Sequence, residues 1–227
     1  DDAVTAFALQ RDRNHPAPDD FPEQLTELLA YLDDAMGADH LFAGLPRLLP
    51  GRPEAPVPWL LGSSADSALW AAQLGLAYAF ADFINPGGGV DIVALYRERF
   101  VASERLAQPT VVVAVWALCA DTEAEAERLA SSGGMATMLA RTGTFAPVPP
   151  VETALRFIER QPPELALRKR MLHGTPAAVR ADLERLAGEY GVDELLVLTV
   201  THEHEARRRS YALLADALAL ESATNGP

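Results

Sequence analysis

The chain has 227 residues, of which 49% are hydrophobic and 22% are charged, and this composition excludes intrinsic disorder as an overall description. Its formal net charge of −13 at pH 7 argues against nucleic acid or an anionic membrane as the main partner, because both would be repelled. The single cysteine, Cys119, excludes an intramolecular disulfide and any zinc site built from cysteines.

The compartment is predicted from what the sequence lacks. No apolar run approaches the roughly 20 residues that span a bilayer, and the first twenty residues have no apolar signal-peptide segment. Together with the lone thiol, this favours a cytoplasmic protein without a membrane partner. The sequence begins at Asp1 without an initiator methionine, so we expect that residues upstream have been removed or left out.

The N-terminal quarter predicts one helix between two irregular segments. Residues 1–18 are charged and contain prolines, which is typical of a loop or a frayed helix. A helix is predicted from Asp19 or Asp20, because either residue is a good N-cap and leucines then recur at helical spacing. Residues 43–58 are rich in proline and predict a surface connection without regular structure.

Four times in the rest of the chain, a short apolar run is followed by an amphipathic stretch. The predicted strands are 57–61, 77–82, 110–118 and 194–200. The predicted helices begin near Ala65, cover 90–103, begin near Thr122, and cover 151–160, 176–190 and 203–220. Nearly continuous apolar strands that alternate with helices indicate an α/β fold with a parallel sheet. Four βα units fit a small open sheet or half of a (β/α)8 TIM barrel, which typically takes about 250 residues.

The most informative local pattern is the end of the first of these strands. The strand ends at Gly62, Ser63 and Ser64 follow, and a helix begins at once, with Ser67 on its first turn. The first N–H groups of a helix have no partner within the helix and carry the positive end of its dipole, so small residues there allow an anion to approach. The pattern predicts either a phosphate site or a simple serine cap, since serine is a favoured N-cap.

The same segment carries a family resemblance. Residues 62–76 read Gly-Ser-Ser-x-x-Ser-x-x-x-Ala-Ala-x-Leu-Gly-Leu, and with Ala-Tyr-Ala-Phe-Ala after them they resemble the flavin-phosphate segment of the bacterial luciferase-like monooxygenases. Further stretches that resemble this family are Asp82–Pro86, Leu95–Phe100, His173–Pro176, Tyr190–Leu195 and Thr201–Ala215. The resemblance runs from about Asp20 to Ala215. This chain lacks the Glu that true luciferases place before the first serine, so it is more similar to the broader oxidoreductase group.

The resemblance implies a flavin-dependent monooxygenase on a (β/α)8 barrel, with this chain as a single domain that supplies strands five to eight. It implies that the phosphate of FMN binds at Gly62, Ser63, Ser64 and Ser67. A separate flavin reductase would supply the reduced FMN, and O2 would oxidise a small organic substrate. The flavin-ring contacts, the catalytic residues and part of a homodimer surface are implied on the first four strands, upstream of this chain.

Two loops are candidates for covering such a site. The run from Pro86 to Gly89 follows the second predicted strand and fits either a mobile loop or an ordinary turn. Residues 131–150 are the stronger candidate for a lid, because Gly133, Gly134 and later prolines argue against regular structure there. The resemblance implies a mobile loop in the same region.

Other chemistry-bearing residues favour structural roles. His202 and His204 have a spacing used in metal sites, but acidic residues alternate with them at a helix start, so no metal site is predicted. His173 precedes a predicted N-cap threonine, and Trp116 lies near the end of the longest strand, where either core packing or a pocket wall fits. Cys119 has no basic neighbour in sequence to activate its thiol.

Two rival functions remain on the same residues. A non-catalytic flavin-binding protein would keep the scaffold and the phosphate site without turnover, since a fold does not determine a function. A barrel enzyme that binds another phosphate-bearing ligand would use the serines without any flavin. Bound flavin would separate the last alternative from the others, and turnover with reduced FMN and O2 would separate the first two.

Overall fold

The computed structural model describes residues 20–44, 56–85, 87–161 and 171–220, together with Val4 and residues 7–8. Most of the predicted segment 1–18, most of 43–58 and the start of the Pro86–Gly89 loop lie outside the described residues. The helices are α1 (Phe21–Leu32), α2 (Ala65–Gln73), α3 (Gly89–Arg99), α4 (Glu123–Arg141), α5 (Val151–Ile158), α6 (Pro176–Tyr190) and α7 (His204–Ala217). The strands are β1 (Trp59–Gly62), β2 (Ala77–Ala81), β3 (Val111–Cys119), β4 (Met171–Gly174) and β5 (Leu195–Leu198).

The four predicted strands form one parallel sheet in the predicted order. β1 pairs with β2, β2 with β3 and β3 with β5, each in parallel. β4 was not predicted as a strand, and it pairs in parallel with the last four residues of β3. Because parallel strands carry their carboxyl ends to the same edge, the turns after β1, β2 and β3 all lie at one end of the sheet.

One face of the sheet is covered by helices and holds the larger part of the core. Tyr78 and Phe80 of β2 and Val113 and Val115 of β3 are buried there. They pack in one cluster with apolar residues of α2, α3, α6 and α7. Burial of this face against amphipathic helices is the arrangement that the alternating pattern predicted.

The opposite face of the sheet is also apolar, and its side chains are partly exposed on β1 and β5. Trp59 and Leu61 of β1 and Leu196 and Leu198 of β5 are between 40 and 59% exposed. The alanines of β2, between these edges, are buried. In a closed barrel this is the face that turns inward and is filled by side chains of all the strands.

The segment 131–150 differs from its prediction. α4 continues without interruption through Gly133 and Gly134 to Arg141, so only residues 142–150 lack regular structure. Glycine costs a helix about 1 kcal/mol relative to alanine, and close packing outweighs this cost here. A Cβ on Gly133 would lie 2.6 Å from Met171 Cε and 2.9 Å from the carbonyl oxygen of Val200. The glycine therefore lets the helix lie directly against the strand ends, while the lid role of 142–150 stays a prediction.

Candidate functional site at the carboxyl ends of the strands

The turn between β1 and α2 is a capped helix start. Ser64 is the N-cap, and its Oγ accepts a hydrogen bond from the Ser67 backbone N–H at 3.3 Å. The Ser64 N–H in turn donates to Ser67 Oγ at 3.3 Å, which completes a capping box. Within the described residues, the N–H groups of Ala65 and Asp66 have no acceptor, so two donors at this helix end stay open.

Ser67 is the one predicted site residue that points into the protein. Its side chain is 7% exposed, its Oγ donates to the Ser64 carbonyl oxygen at 2.8 Å and lies 3.0 Å from Tyr78 Oη. Burial raises the pKa of Tyr78, and the bond to Ser67 lowers it by less. The hydroxyl of Ser67 thus anchors the turn to β2, and a direct contact with phosphate stays a prediction.

Gly62 has a packing reason that the sequence did not reveal. A Cβ at this position would lie 2.2 Å from Ser67 Oγ and 2.4 Å from Ser67 Cβ. Real side chains do not approach so closely, so any other residue would push the first turn of α2 away from the strand. Gly62 therefore brings Ser63 and Ser64 into place, and whether it touches a ligand stays a prediction.

Asn85 holds the serine turn from a second loop. Its Nδ2 donates to the carbonyl oxygen of Ser63 at 3.1 Å, across 22 residues of sequence. Sequence reasoning noted Asn85 only as part of a stretch that resembles the family and gave it no role. Because the turns after β1 and β2 end at the same edge, this amide fixes the backbone of one turn relative to the other.

A cavity of about 240 Å³ lies at the same end of the sheet, beside α4. Trp116 of β3 forms part of its wall, and the Trp116 ring stacks on Phe83 with centroids 5.2 Å apart. The remaining lining residues are Gly133, Ala136, Thr137, Ala140, Thr144, Phe145, Ala146 and Val200. The structure supports both roles that the sequence allowed for Trp116, because the side chain packs against a second core cluster and also lines the cavity.

The histidines have separate partners. His202 Nδ1 donates to the carbonyl oxygen of Val148 at 2.9 Å, whereas His204 Nδ1 accepts from Arg207 at 3.0 Å. His173 Nδ1 lies 3.0 Å from the carbonyl oxygen of Met171 in its own strand. Across the described ranges, no group of three or more His, Cys, Asp or Glu side chains is placed to hold a metal ion.

Two ionisable groups on the helix-covered side are kept neutral. Burial raises the pKa of the Cys119 thiol to about 11, which makes a thiolate nucleophile unfavourable at neutral pH. The Tyr190 hydroxyl donates to Asp82 Oδ1 at 2.6 Å, and burial, followed by this carboxylate, raises the pKa of Tyr190. Cys119 therefore belongs to the core, whereas Tyr190 and Asp82 also line a cavity of about 450 Å³ that Trp116 borders.

Two of the stretches that resemble the family, Leu95–Phe100 and Tyr190–Leu195, meet at the C-terminus of α6. Arg97 of α3 donates to the carbonyl oxygens of Tyr190 and Gly191, at 2.8 and 2.6 Å. These are carbonyl groups that a helix C-terminus leaves without partners, so the guanidinium caps α6. Arg97 therefore has a structural role at the end of α6.

The fold is a parallel α/β sheet, and a small-residue turn leads from β1 into a helix at its carboxyl edge, which is where both barrel and open α/β proteins commonly bind ligands. The model of the luciferase-like monooxygenase family matches residues 5–217. The uncharacterized protein YwcH of Bacillus subtilis is 39% identical over 95% of this chain and 66% of its own length. A luciferase-like monooxygenase of Escherichia coli is 33% identical over 95% of this chain and 63% of its own.

The solved structure of apo-MsnO8 matches 92% of this chain and 62% of its own, with a TM-score of 0.78 and 34% identity. The chain therefore belongs to the luciferase-like monooxygenase family, as the resemblance predicted. It spans about two thirds or less of the length of these relatives, and its fold is part of their TIM-barrel type. In the part of the chain that the structure describes, no helix is both long and apolar enough to cross a membrane.

Proposed function

We propose that this chain is the phosphate-binding part of an FMN-dependent oxidoreductase, a monooxygenase that acts on a small organic substrate. The observation that carries the proposal is the open helix end at Ser63 and Ser64, in a chain that belongs to the luciferase-like monooxygenase family. FMN would supply the redox chemistry with O2, after its reduction by a separate reductase. The protein would work in the cytoplasm, as its single cysteine favours, and as a homodimer, as the resemblance implies.

The residues of the turn fit a phosphate group. Ala65 and Asp66 offer backbone N–H groups at the positive end of the α2 dipole, and the hydroxyl of Ser63 has no partner among the described residues. The Asp66 carboxylate lies on the same turn and is exposed, so it opposes an anion in part. The site would therefore hold phosphate through hydrogen bonds and the helix dipole.

The chain's other contribution is positioning and exclusion of water. Gly62 and Asn85 fix the turn, while the described residues that line the cavity between Trp116 and α4 are uncharged. Such surroundings would help to exclude water from a bound flavin, which limits side reactions with solvent. The groups that act directly on the substrate are expected on strands that this chain does not include.

A comparison of FMN with riboflavin tests the proposal, because the two differ only in the phosphate. We expect FMN to bind the 227-residue chain at least tenfold more tightly, measured by quenching of flavin fluorescence during titration. Equal affinities for FMN and riboflavin would mean that the protein does not hold the phosphate. If neither flavin bound, the alternative of a barrel enzyme with another phosphate-bearing ligand would be favoured.

Catalysis is tested separately from binding. Reduced FMN and O2 are supplied to the protein, and consumption of a candidate substrate is followed by mass spectrometry. Turnover supports the monooxygenase. Tight FMN binding without turnover, under conditions where the E. coli relative turns over, would instead favour a non-catalytic flavin-binding protein on the same scaffold.

A further inference from the structure

The described residues that line the cavity beside α4 are all uncharged. All nine described residues around it are alanine, glycine, threonine, valine, phenylalanine or tryptophan. One of the two threonines, Thr137, directs its hydroxyl to the carbonyl oxygen of Gly133 at 2.8 Å, so it offers little to a ligand. The site is partly open to solvent, because Phe145 at its edge is 73% exposed, but a charged group seated deep against Trp116 would find no partner of opposite charge, and burial of an unpaired charge is unfavourable.

The rim of the cavity is anchored at both ends. The Thr144 N–H donates to the carbonyl oxygen of Leu139 at 3.0 Å, which turns the chain back at the end of α4. Farther along, His202 donates to the carbonyl oxygen of Val148 at 2.9 Å. Phe145 lies between these anchors, is 73% exposed, and borders the opening. The segment thus forms an apolar edge beside the strand ends.

The size of the cavity is set by small residues on α4. Ala136 and Ala140 lie one turn apart and contribute only methyl groups, and Gly133 lets the helix lie against Val200. A volume of 240 Å³ corresponds to about eight times the space of one water molecule in the liquid. Larger side chains at Ala136 or Ala140 would fill this space.

We propose that this cavity is a binding subsite for an uncharged, apolar group of about eight heavy atoms or fewer, and that Ala136 and Ala140 determine the length accepted. The proposal rests on the proposed function, since it assigns the cavity to the apolar part of the substrate. The cavity and the serine turn both lie at the carboxyl ends of the strands. The proposed apolar subsite and the proposed phosphate site therefore open at the same edge of the sheet.

The test uses 1-hexanol as the probe, with hexanoate and hexylammonium as charged counterparts of equal length. The 227-residue chain is labelled with ¹³C at its alanine methyl groups, and the probes are titrated while the methyl NMR signals are recorded. We expect 1-hexanol to shift the signals of Ala136, Ala140 and Ala146 in a saturable way. Each charged counterpart should bind at least tenfold more weakly.

Two substitutions on the same helix complete the experiment. Ala140→Phe should weaken binding of 1-hexanol at least tenfold, whereas Ala124→Phe, at an exposed position on the first turn of α4, should leave it unchanged. Ala136→Leu serves as a second filling variant if Ala140→Phe loses its native circular dichroism spectrum. Shifts confined to other alanines, equal binding of hexanoate, or unchanged binding in a folded filling variant would overturn the proposal.

The flavin titrations keep the two proposals apart. If the chain binds 1-hexanol at the cavity but binds neither FMN nor riboflavin, the proposed function is overturned and the subsite is supported. If the chain binds FMN tightly but 1-hexanol does not shift the methyl signals of Ala136 and Ala140, the subsite is overturned and the proposed function is supported.

Discussion

Two segments rich in glycine and serine perform opposite tasks in this molecule. The first, Gly62–Ser64, ends a strand, caps a helix and leaves backbone donors open. The second, Ser131–Gly134, lies inside α4 and is buried completely against the strand ends and the neighbouring helix. In both segments, small residues allow neighbouring parts of the chain to pack closely. Backbone N–H groups stay free for a ligand only in the first segment, where the chain passes from a strand into a helix. Position within an element therefore decides what such a segment does.

The largest effect is expected from breaking the buried segment. Gly133→Val would place new carbon atoms against Met171 and the Val200 carbonyl, and overpacking of a core costs up to about 3 kcal/mol. We expect the free energy of unfolding, measured by urea denaturation, to fall by that amount. Gly188→Ala is the control, since a Cβ there meets nothing within 4 Å on α6, and it should raise stability by up to about 1 kcal/mol. Equal effects would show that helix propensity, not packing, explains Gly133.

The second largest effect sharpens the role of the open segment. Ser64→Asp keeps a capping group but puts a carboxylate where the phosphate is expected, so FMN affinity should fall about thirtyfold, or about 2 kcal/mol, while the fold survives. Thr122→Asp is matched, because Thr122 caps α4 through the Glu125 N–H at 3.2 Å. It should leave FMN binding unchanged in the same fluorescence titration. Unchanged affinity in Ser64→Asp would return the serines to the role of helix caps alone.

A smaller effect is expected from a methyl group at the strand end. Gly62→Ala would clash with Ser67 and should lower stability by about 1–2 kcal/mol, with a parallel loss of FMN affinity. Ser67→Gly in the same protein removes the clashing atoms and should recover part of the loss. A double-mutant cycle measured by urea unfolding gives the coupling between the two positions. Additive effects would show that the close approach of Gly62 and Ser67 is not what limits this turn.

The smallest effect concerns Asn85. Asn85→Leu keeps the approximate shape but removes the hydrogen bond to Ser63, and we expect FMN affinity to fall about threefold, close to the net value of one neutral hydrogen bond. Riboflavin binding should change less than FMN binding, because we expect the turn to hold the phosphate that riboflavin lacks. The neighbouring substitution Ile84→Ala, at a side chain that is 53% exposed, serves as the control. A larger loss for riboflavin than for FMN would contradict the assignment.

The sequence predicted the strands well because long-range packing and local pattern agree in them. The continuous apolar run at 110–118 became β3, and the strand order followed from the alternation with helices. β4 was missed, since its four residues are too few to show a periodicity and, among the described residues, pair only with the end of β3. The uninterrupted helix at Gly133 was also missed, because the packing that stabilises it involves Met171 and Val200, which are distant in sequence.

The candidate site was predictable only in part. A strand followed by Gly62 and two serines signalled the helix start and its cap, and the structure confirms both. The inward turn of Ser67 was not visible, because it depends on Tyr78 in the next strand. The Asn85 contact joins two loops, and the cavity at Trp116 is formed by four separate parts of the chain. Such features follow from topology, which no local pattern encodes.

The open apolar face of the sheet has a consequence for how this chain behaves in solution. Exposed apolar side chains at the two edges of this face, Trp59 and Leu61 on β1 and Leu196 and Leu198 on β5, favour association between copies of the chain. The net charge of −13 makes the copies repel one another. Salt shortens the reach of that repulsion from about 30 Å at 0.01 M to about 3 Å at 1 M, while apolar attraction persists. The chain should therefore be colloidally stable in dilute buffer and become increasingly turbid as salt is added.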